Sequence, residues 1–468
     1  MKLFHKIWQR WQEENGYREV LVVALPMILS TGAWSLQQFI DRIFLTWHSA
    51  EAVAAALPAS LVSWTITSLF VGTAAYVNTF VAQYYGAEQH QRIGASVWQG
   101  IYLSLLVVLI AAILYPLSPY FFNWSGHSAE VLKNEIVYFR ILLFGAPAAV
   151  VSNAITGFYA GRGKTVTVMW VNVAATLVNI VLDYILIFGK LGFPQMGIAG
   201  AAIATVIASW ISALLFFILI IQKRYEHKYA TRSNWRLDTA LFKRLIRFGL
   251  PSGLQFTLEL IAFTLFILFV GRLGTKELAA TNIAFNINTL AFLPMYGLTI
   301  AISSLVGQRL GKSEGAGAER VTWSAFHIAF FYFGTLAYGY FFIPELFLFP
   351  YELYANPAEF LPIKELARML LIFVAVYSLF DAMNMVFSGA LKGAGDTRFV
   401  AIASISLSWF TMVIPSFIGL NWLNVGIYTL WSFVTLYVIS LGIVFYFRFR
   451  AGKWKNLRVI ESGASEAK

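Results

Sequence analysis

Apolar stretches of about twenty residues recur along the whole chain, each bounded by a short polar or charged break. A spanning helix needs about 20 mostly apolar residues to cross a hydrocarbon core about 30 Å thick. The pattern predicts twelve such helices, near residues 20–46, 53–83, 95–119, 131–155, 165–188, 197–221, 246–270, 278–306, 321–344, 363–388, 398–419 and 424–447. No break between them is long enough for a soluble domain, and the longest, 222–245, is strongly polar. The expected organisation is an N-terminal segment (1–19), a first six-helix lobe (20–221), a cytoplasmic linker (222–245), a second six-helix lobe (246–447) and a cytoplasmic tail (448–468). In the N-terminal segment Phe4, Ile7, Trp8 and Trp11 fall at helical spacing among basic residues, as in a short interfacial helix or a solvated basic tail. Residues 1–19 lack the unbroken apolar core of a cleavable signal.

The two lobes echo each other at an offset of about 225 residues. Ala24-Leu25-Pro26 answers Gly249-Leu250-Pro251, and Val81-Ala82-Gln83-Tyr84-Tyr85-Gly86 answers Val306-Gly307-Gln308-Arg309-Leu310-Gly311. Gly157 to Thr165 answers Gly389 to Thr397 in the same order. Six spans per repeat is an even number, so both halves enter the membrane from the same side, related by an axis along its normal. The expected fold class is an all-α polytopic membrane protein, with twelve transmembrane helices in two pseudo-symmetric six-helix bundles arranged as a parallel repeat. Rocking one bundle against the other is the alternating-access motion such a design permits. Pro26 and Pro251 begin equivalent helices, where a proline either permits a kink or simply opens the helix.

Composition agrees: 59% of the 468 residues are hydrophobic and 12% charged, a balance that would aggregate a soluble protein through its own surface. Cysteine is absent, which excludes disulfides and thiolate metal sites. The net charge of +11 raises the question of nucleic acid. With the N-terminus inside, however, 26 of the 34 Lys and Arg fall in cytoplasmic segments, as the positive-inside rule requires, and the outer loop around 345–359 carries Glu345, Glu352 and Glu359. The charge therefore reports orientation in a bacterial inner membrane with both termini cytoplasmic. Nucleic acid is not an expected partner.

A carboxylate at a helix centre costs about 2.5–3.5 kcal/mol to insert, so acids deep in spans are functional candidates. Asp41 in span 1 shares a helical face with Trp34 and Gln37. Asp183 in span 5 follows Asn179 by four residues, so both point the same way. The face of Asn179 and Asp183 is expected to meet Asp41, with Thr205 in span 6 adding a hydroxyl, an oxygen set suited to Na⁺ or a shared proton. In the second lobe Glu259 follows Gln255, and Asp381 follows Tyr377, each by four residues. Two carboxylates and an aromatic ring can hold a monovalent cation and exchange it, or a proton, against a cationic drug. Asn153 in span 4 is a candidate cavity or helix-bridging residue. Trp34, Gln37, Asn153 and Gln255 are the candidate substrate-cavity residues. The blander readings are a structural ion pair for Asp41, an outer-interface position for Asp183, a packing role for Tyr377 and a bond from Thr205 to its own helix backbone.

Together the segments Leu36 to Asp41, Gly249 to Gly253, Val306 to Gly311 and Gly389 to Arg398, with twelve spans and a parallel repeat, resemble the multidrug and toxic compound extrusion (MATE) family over roughly residues 18–450. The resemblance implies secondary active export of cationic amphipathic drugs or toxic organic compounds in exchange for Na⁺ or H⁺, with no cofactor beyond that coupling ion. It implies that Asp41, Asn179, Asp183 and Thr205 form an N-lobe cation or proton site, and that Glu259, Tyr377 and Asp381 form the C-lobe site of the NorM-like branch. Na⁺ would sit at Glu259 and Asp381 or at Asp41 and Asp183, and Pro26 corresponds to a helix 1 proline linked to bending. Arg42 and Trp34 depart from the polar or small residues expected beside the acid. The competing reading is a flippase for lipid-linked precursors or polysaccharides from a related superfamily, which calls for a cationic cavity. The chain carries no protease, phosphate-loop or intramembrane catalytic motif, so an enzyme is not expected. A monomer is the expected state.

Overall fold

The computed structural model describes residues 8–123, 127–352 and 357–461. Residues 1–7 of the expected interfacial segment, 353–356 and the Glu359 side chain of the acidic outer loop, and 462–468 of the tail lie outside the described residues. The helices are α1 (Tyr17–His48), α2 (Ala50–Ala75), α3 (Val77–Gly86), α4 (Gln91–Phe122), α5 (Ala129–Leu143), α6 (Ala146–Ala160), α7 (Thr165–Phe188), α8 (Gly197–Ile220) and α9 (Lys223–Tyr229). They continue as α10 (Thr239–Gly271), α11 (Thr275–Gly311), α12 (Gly315–Phe342), α13 (Pro344–Glu352), α14 (Pro357–Ala394), α15 (Thr397–Leu407), α16 (Ile414–Trp422) and α17 (Ile427–Arg450). Among the described residues eleven helical segments are long and apolar enough to cross a membrane, and α5 with α6, bent by 41°, make a twelfth.

Two departures from the expected boundaries have local causes. Helix α10 starts at Thr239, inside the expected linker, because Asp238 caps it: Oδ1 accepts from the Leu241 amide at 2.9 Å. Its first turns are amphipathic, with Leu241 and Leu245 buried beneath the basic residues. Between α15 and α16 the chain makes a wide π turn over Ser408–Val413, with one residue between it and Pro415, whose missing N–H cannot continue the ordinary ladder.

The chain divides into two compact units. One holds residues 1–28, 258–310 and 314–457, the other 29–257, 311–313 and 458–468. In the first, the core gathers α11, α12, α14 and α17 around Trp431, which stacks on Phe285 at 4.9 Å and donates to the Thr281 hydroxyl at 3.1 Å. In the second, α2, α5 and α8 close over Phe122 and Phe139, 5.4 Å apart. There the end of α6 is fixed by Arg162, whose guanidinium lies 3.6 Å from the Phe158 ring centre and 4.7 Å from that of Tyr229.

The sequence repeat reappears as repeated close approaches. A Cβ on Gly297 of α11 would stand 2.7 Å from the Ile28 nitrogen of α1, within the first unit, and one on Gly72 of α2 would stand 2.9 Å from Gly253 Cα of α10, within the second. Gly72 and Gly297, like Ile28 and Gly253, are 225 positions apart. Likewise a Cβ on Gly161 would meet the Asn78 carbonyl at 2.6 Å, and one on Gly393 the Ser303 carbonyl at 2.5 Å. Backbones come this near only where no side chain intervenes, so equivalent glycines set equivalent helix crossings in both units.

Candidate functional site

In the second unit the site grows from two helices that carry the same polar spacing. Ser30, Gln37 and Asp41 lie seven and then four positions apart on α1, and Asn172, Asn179 and Asp183 repeat that spacing on α7. Each set falls on one helical face. Asn172 Nδ2 donates to Ser30 Oγ at 2.6 Å. Eleven residues on, about 16 Å along both helices, the carboxyl groups of Asp41 and Asp183 are close enough for a shared proton to join them. Two parallel stripes thus meet at a hydrogen bond at one end and an acid pair at the other.

The pair is buried: Asp41 is 6% exposed, and Asp183 and Asn179 are both at 0%. Asn179 lies beside Asp183. Nevertheless Asp41 Oδ1, both Asp183 oxygens, the Asn179 amide atoms and the Thr205 hydroxyl have no hydrogen-bond partner among the described residues. Two carboxylates cannot bond each other without a proton, because both are acceptors only. Gly200 of α8 packs on Leu186 of α7, which sets Thr205 within about one helical turn of the height of Asp183. Arg42 is exposed and in no salt bridge among the described residues. The set is therefore a desolvated, oxygen-rich cluster that a proton or cation would stabilise.

Tyr138 of α5 completes this site and was not among the sequence candidates. It is 5% exposed, near the Ser60 hydroxyl and in the field of both carboxylates. In sequence it is one aromatic residue in an apolar span, with nothing to separate it from packing residues. Trp34 is 43% exposed and lies against Trp64 at 5.6 Å, while Gln37 is half-buried on the stripe. Asn153 donates to the Ala149 carbonyl of its own helix at 2.9 Å and makes no bond to the acids among the described residues. Gln255 is buried on the part of α10 that belongs to this unit.

The first unit holds a second acidic group. Asp381 on α14 is buried beside Tyr377 and Asn384. Glu259 on α10 is half-buried and accepts a hydrogen bond from the Tyr437 hydroxyl at 3.4 Å. Tyr437 also lies in the field of Asp381, which links the two acids. Lys392 interacts with Glu259. The expected end of span 10 at residue 388 puts Lys392 in the following loop; α14 continues to Ala394 and carries it on the helix. Arg42 likewise acts on Asp41 through its field, so each acidic group has one basic side chain nearby. Pro26 lies within α1, which runs on as helix to His48. Among the described residues no cluster of three or more His, Asp or Glu forms a metal site.

Comparison with known proteins adds three findings. A family model described as MatE matches residues 26–185 and 251–418, one segment in each half. Curated relatives include a probable multidrug resistance protein NorM of Xylella fastidiosa (strain 9a5c), 26% identical over 439 residues and covering 92% of this chain and 91% of the relative. Another of the same description, from Thermotoga maritima, is 24% identical over 452 residues, 95% of this chain and 94% of the relative. Among solved structures, an outward-facing multidrug resistance MATE family transporter of the MOP superfamily superposes with TM-score 0.84 at 24% identity, over 95% of this chain and 98% of that one. A MOP superfamily transporter from Pyrococcus furiosus, described as having a binding pocket of reversed polarity that suggests a different function, superposes with TM-score 0.83 at 23% identity, over 96% and 98%.

Proposed function

Since this chain belongs to the MatE family, whose model matches both of its halves, we propose that it is a secondary active multidrug efflux antiporter. It exports cationic amphipathic compounds across the bacterial inner membrane in exchange for inward H⁺ or Na⁺, by alternating access, with both termini cytoplasmic. The fold alone does not decide the cargo, because two neighbours with nearly equal superposition carry different functional descriptions. The observation that carries the reading is the buried pair of Asp41 and Asp183, three of whose four carboxyl oxygens have no hydrogen-bond partner among the described residues. Such a pair takes up a proton or monovalent cation, and releasing it restores a negative site that attracts a cationic drug. We put coupling here rather than at Glu259 and Asp381, because Asp41 and Asp183 are both buried and face each other, whereas Glu259 is half-buried and bonded to Tyr437. A lipid-linked precursor flippase would need cationic side chains where this unit presents carboxylates.

The test is ethidium transport in everted vesicles under imposed Na⁺ or pH gradients. Asp41→Asn and Asp183→Asn should each lower gradient-driven movement by about tenfold or more, the equivalent of at least about 1.4 kcal/mol. Asp381→Asn should lower it less. Full transport by both N-lobe variants, at normal expression, would sink the proposal.

A further inference from the structure

We infer that the first unit carries a binding site for an anionic phospholipid on the side of the membrane where the N-terminus lies. A cavity of about 380 Å³ lies between the N-terminal helical turn and the start of α12, lined by Arg10, Ala316, Glu319, Arg320, Trp323 and His327. The five residues of α12 lie on one helical face. Arg10 reaches the same place from the turn over residues 8–12: its Nε donates to Ser324 Oγ at 3.2 Å and its Nη2 to the Arg320 carbonyl at 3.3 Å. Those two bonds hold the guanidinium at the rim.

The charge of this cavity is unbalanced. Glu319 is taken by Lys455, whose Nζ lies 2.5 Å away. Neither Arg10 nor Arg320 is in a salt bridge among the described residues. Two guanidiniums therefore line the cavity without a salt-bridged acid of their own among the described residues, and a guanidinium binds a phosphate diester through paired N–H donors. His327 Nδ1 is tied to the Tyr17 hydroxyl at 3.0 Å, and Trp323 packs on its ring, so the wall is aromatic rather than acidic.

What lies beyond the cavity selects a lipid over a soluble phosphate. Along α12 from His327 the same face carries Phe331 (78% exposed), Tyr338 and Phe342, all exposed. They cover roughly 16 Å of helix, enough to lie beside the acyl chains of one leaflet. Trp8 and Trp11 of the N-terminal turn are also exposed, as aromatic residues at a headgroup boundary are. A basic cavity opening onto an apolar stripe fits a phosphate headgroup with its acyl chains running down the helix.

Full-length protein in mixed micelles is titrated with phosphatidylglycerol, phosphatidylcholine or inorganic phosphate, and bound ligand is counted by native mass spectrometry. The parent should retain phosphatidylglycerol about tenfold better than phosphatidylcholine, as two basic side chains at a membrane surface allow. Arg10→Gln with Arg320→Gln should erase that preference, and Arg10→Lys with Arg320→Lys should restore part of it. Arg320→Gln alone removes a side chain that makes no hydrogen bond or salt bridge among the described residues, so if the double variant misfolds the single one must still show a reduced preference. Equal retention of the two lipids by the parent overturns the inference, as does undiminished preference in a folded glutamine variant. Displacement of phosphatidylglycerol by inorganic phosphate alone would show a free-anion pocket and overturn it equally.

Discussion

An aspartate surrounded by apolar helix can be a strut or a switch, and the two differ in what neutralisation does. A strut loses its ionic partner when replaced by asparagine, which typically costs 3–5 kcal/mol when the pair is buried. Asp41 is in no salt bridge among the described residues: Oδ1 is unbonded, and the exposed Arg42 acts on it only through its field. Asp41→Asn therefore relieves a desolvated charge beside Asp183. Its thermal stability in detergent should equal or exceed that of the parent, within about 1 kcal/mol or in its favour, while gradient-driven transport falls. A marked loss of stability would restore the structural ion pair as the explanation. The acids themselves were visible in the sequence because a charge inside an apolar run is conspicuous. Tyr138 and Lys392 were not: one looks like packing, and the other became a helix residue only because α14 outlasts its apolar core.

Among the elements, the basic tail is packed into the fold as far as it is described, to Glu461. Trp454 is fully buried, stacks on Phe449 at 4.9 Å and donates to the Phe449 carbonyl at 2.8 Å. Further on, within the other unit, the Val459 amide donates to Gln83 Oε1 at 2.9 Å. There Glu461 meets the Tyr84 hydroxyl at 2.6 Å, Arg244 at 2.5 Å and Arg92 at 3.1 Å. Burial pushes the Glu461 carboxyl up, but the Tyr84 hydroxyl and the two arginines outweigh it and hold it at about 2, below its ordinary 4.5. A carboxylate lowered in this way stabilises the fold in full above its unfolded value and loses that contribution as pH falls through the folded value. Between about pH 4.5 and 2 the parent's melting temperature should therefore fall more steeply than that of Glu461→Gln, which lacks the titrating group. Parallel curves would show that the segment contributes nothing. The partially exposed setting keeps the effect modest.

For the whole molecule the repeat makes a paired prediction. Gly72 and Gly297 hold equivalent crossings, and a methyl at either would press on backbone rather than on a side chain that can turn aside. Gly72→Ala and Gly297→Ala should each cost about 1–3 kcal/mol, read as a lowered melting temperature of similar size in both variants. A loss in only one of them would mean that the crossings differ in the weight they carry.

The span pattern, the even repeat and the candidate acids were legible in the sequence because a membrane makes each of them a local property. Twenty apolar residues must be helix, and a carboxylate among them stands out at once. Even the stripe on α7 was half visible, since Asn179 and Asp183 lie one turn apart. The tertiary structure decided which charges meet. Asp41 and Asp183 are far apart in the chain and become neighbours only because α1 and α7 run parallel in matching register. Lys392 comes within the field of Glu259, and the division into units falls within α1 and α10. Those outcomes depend on contacts between distant helices, which leave no periodic trace along the chain.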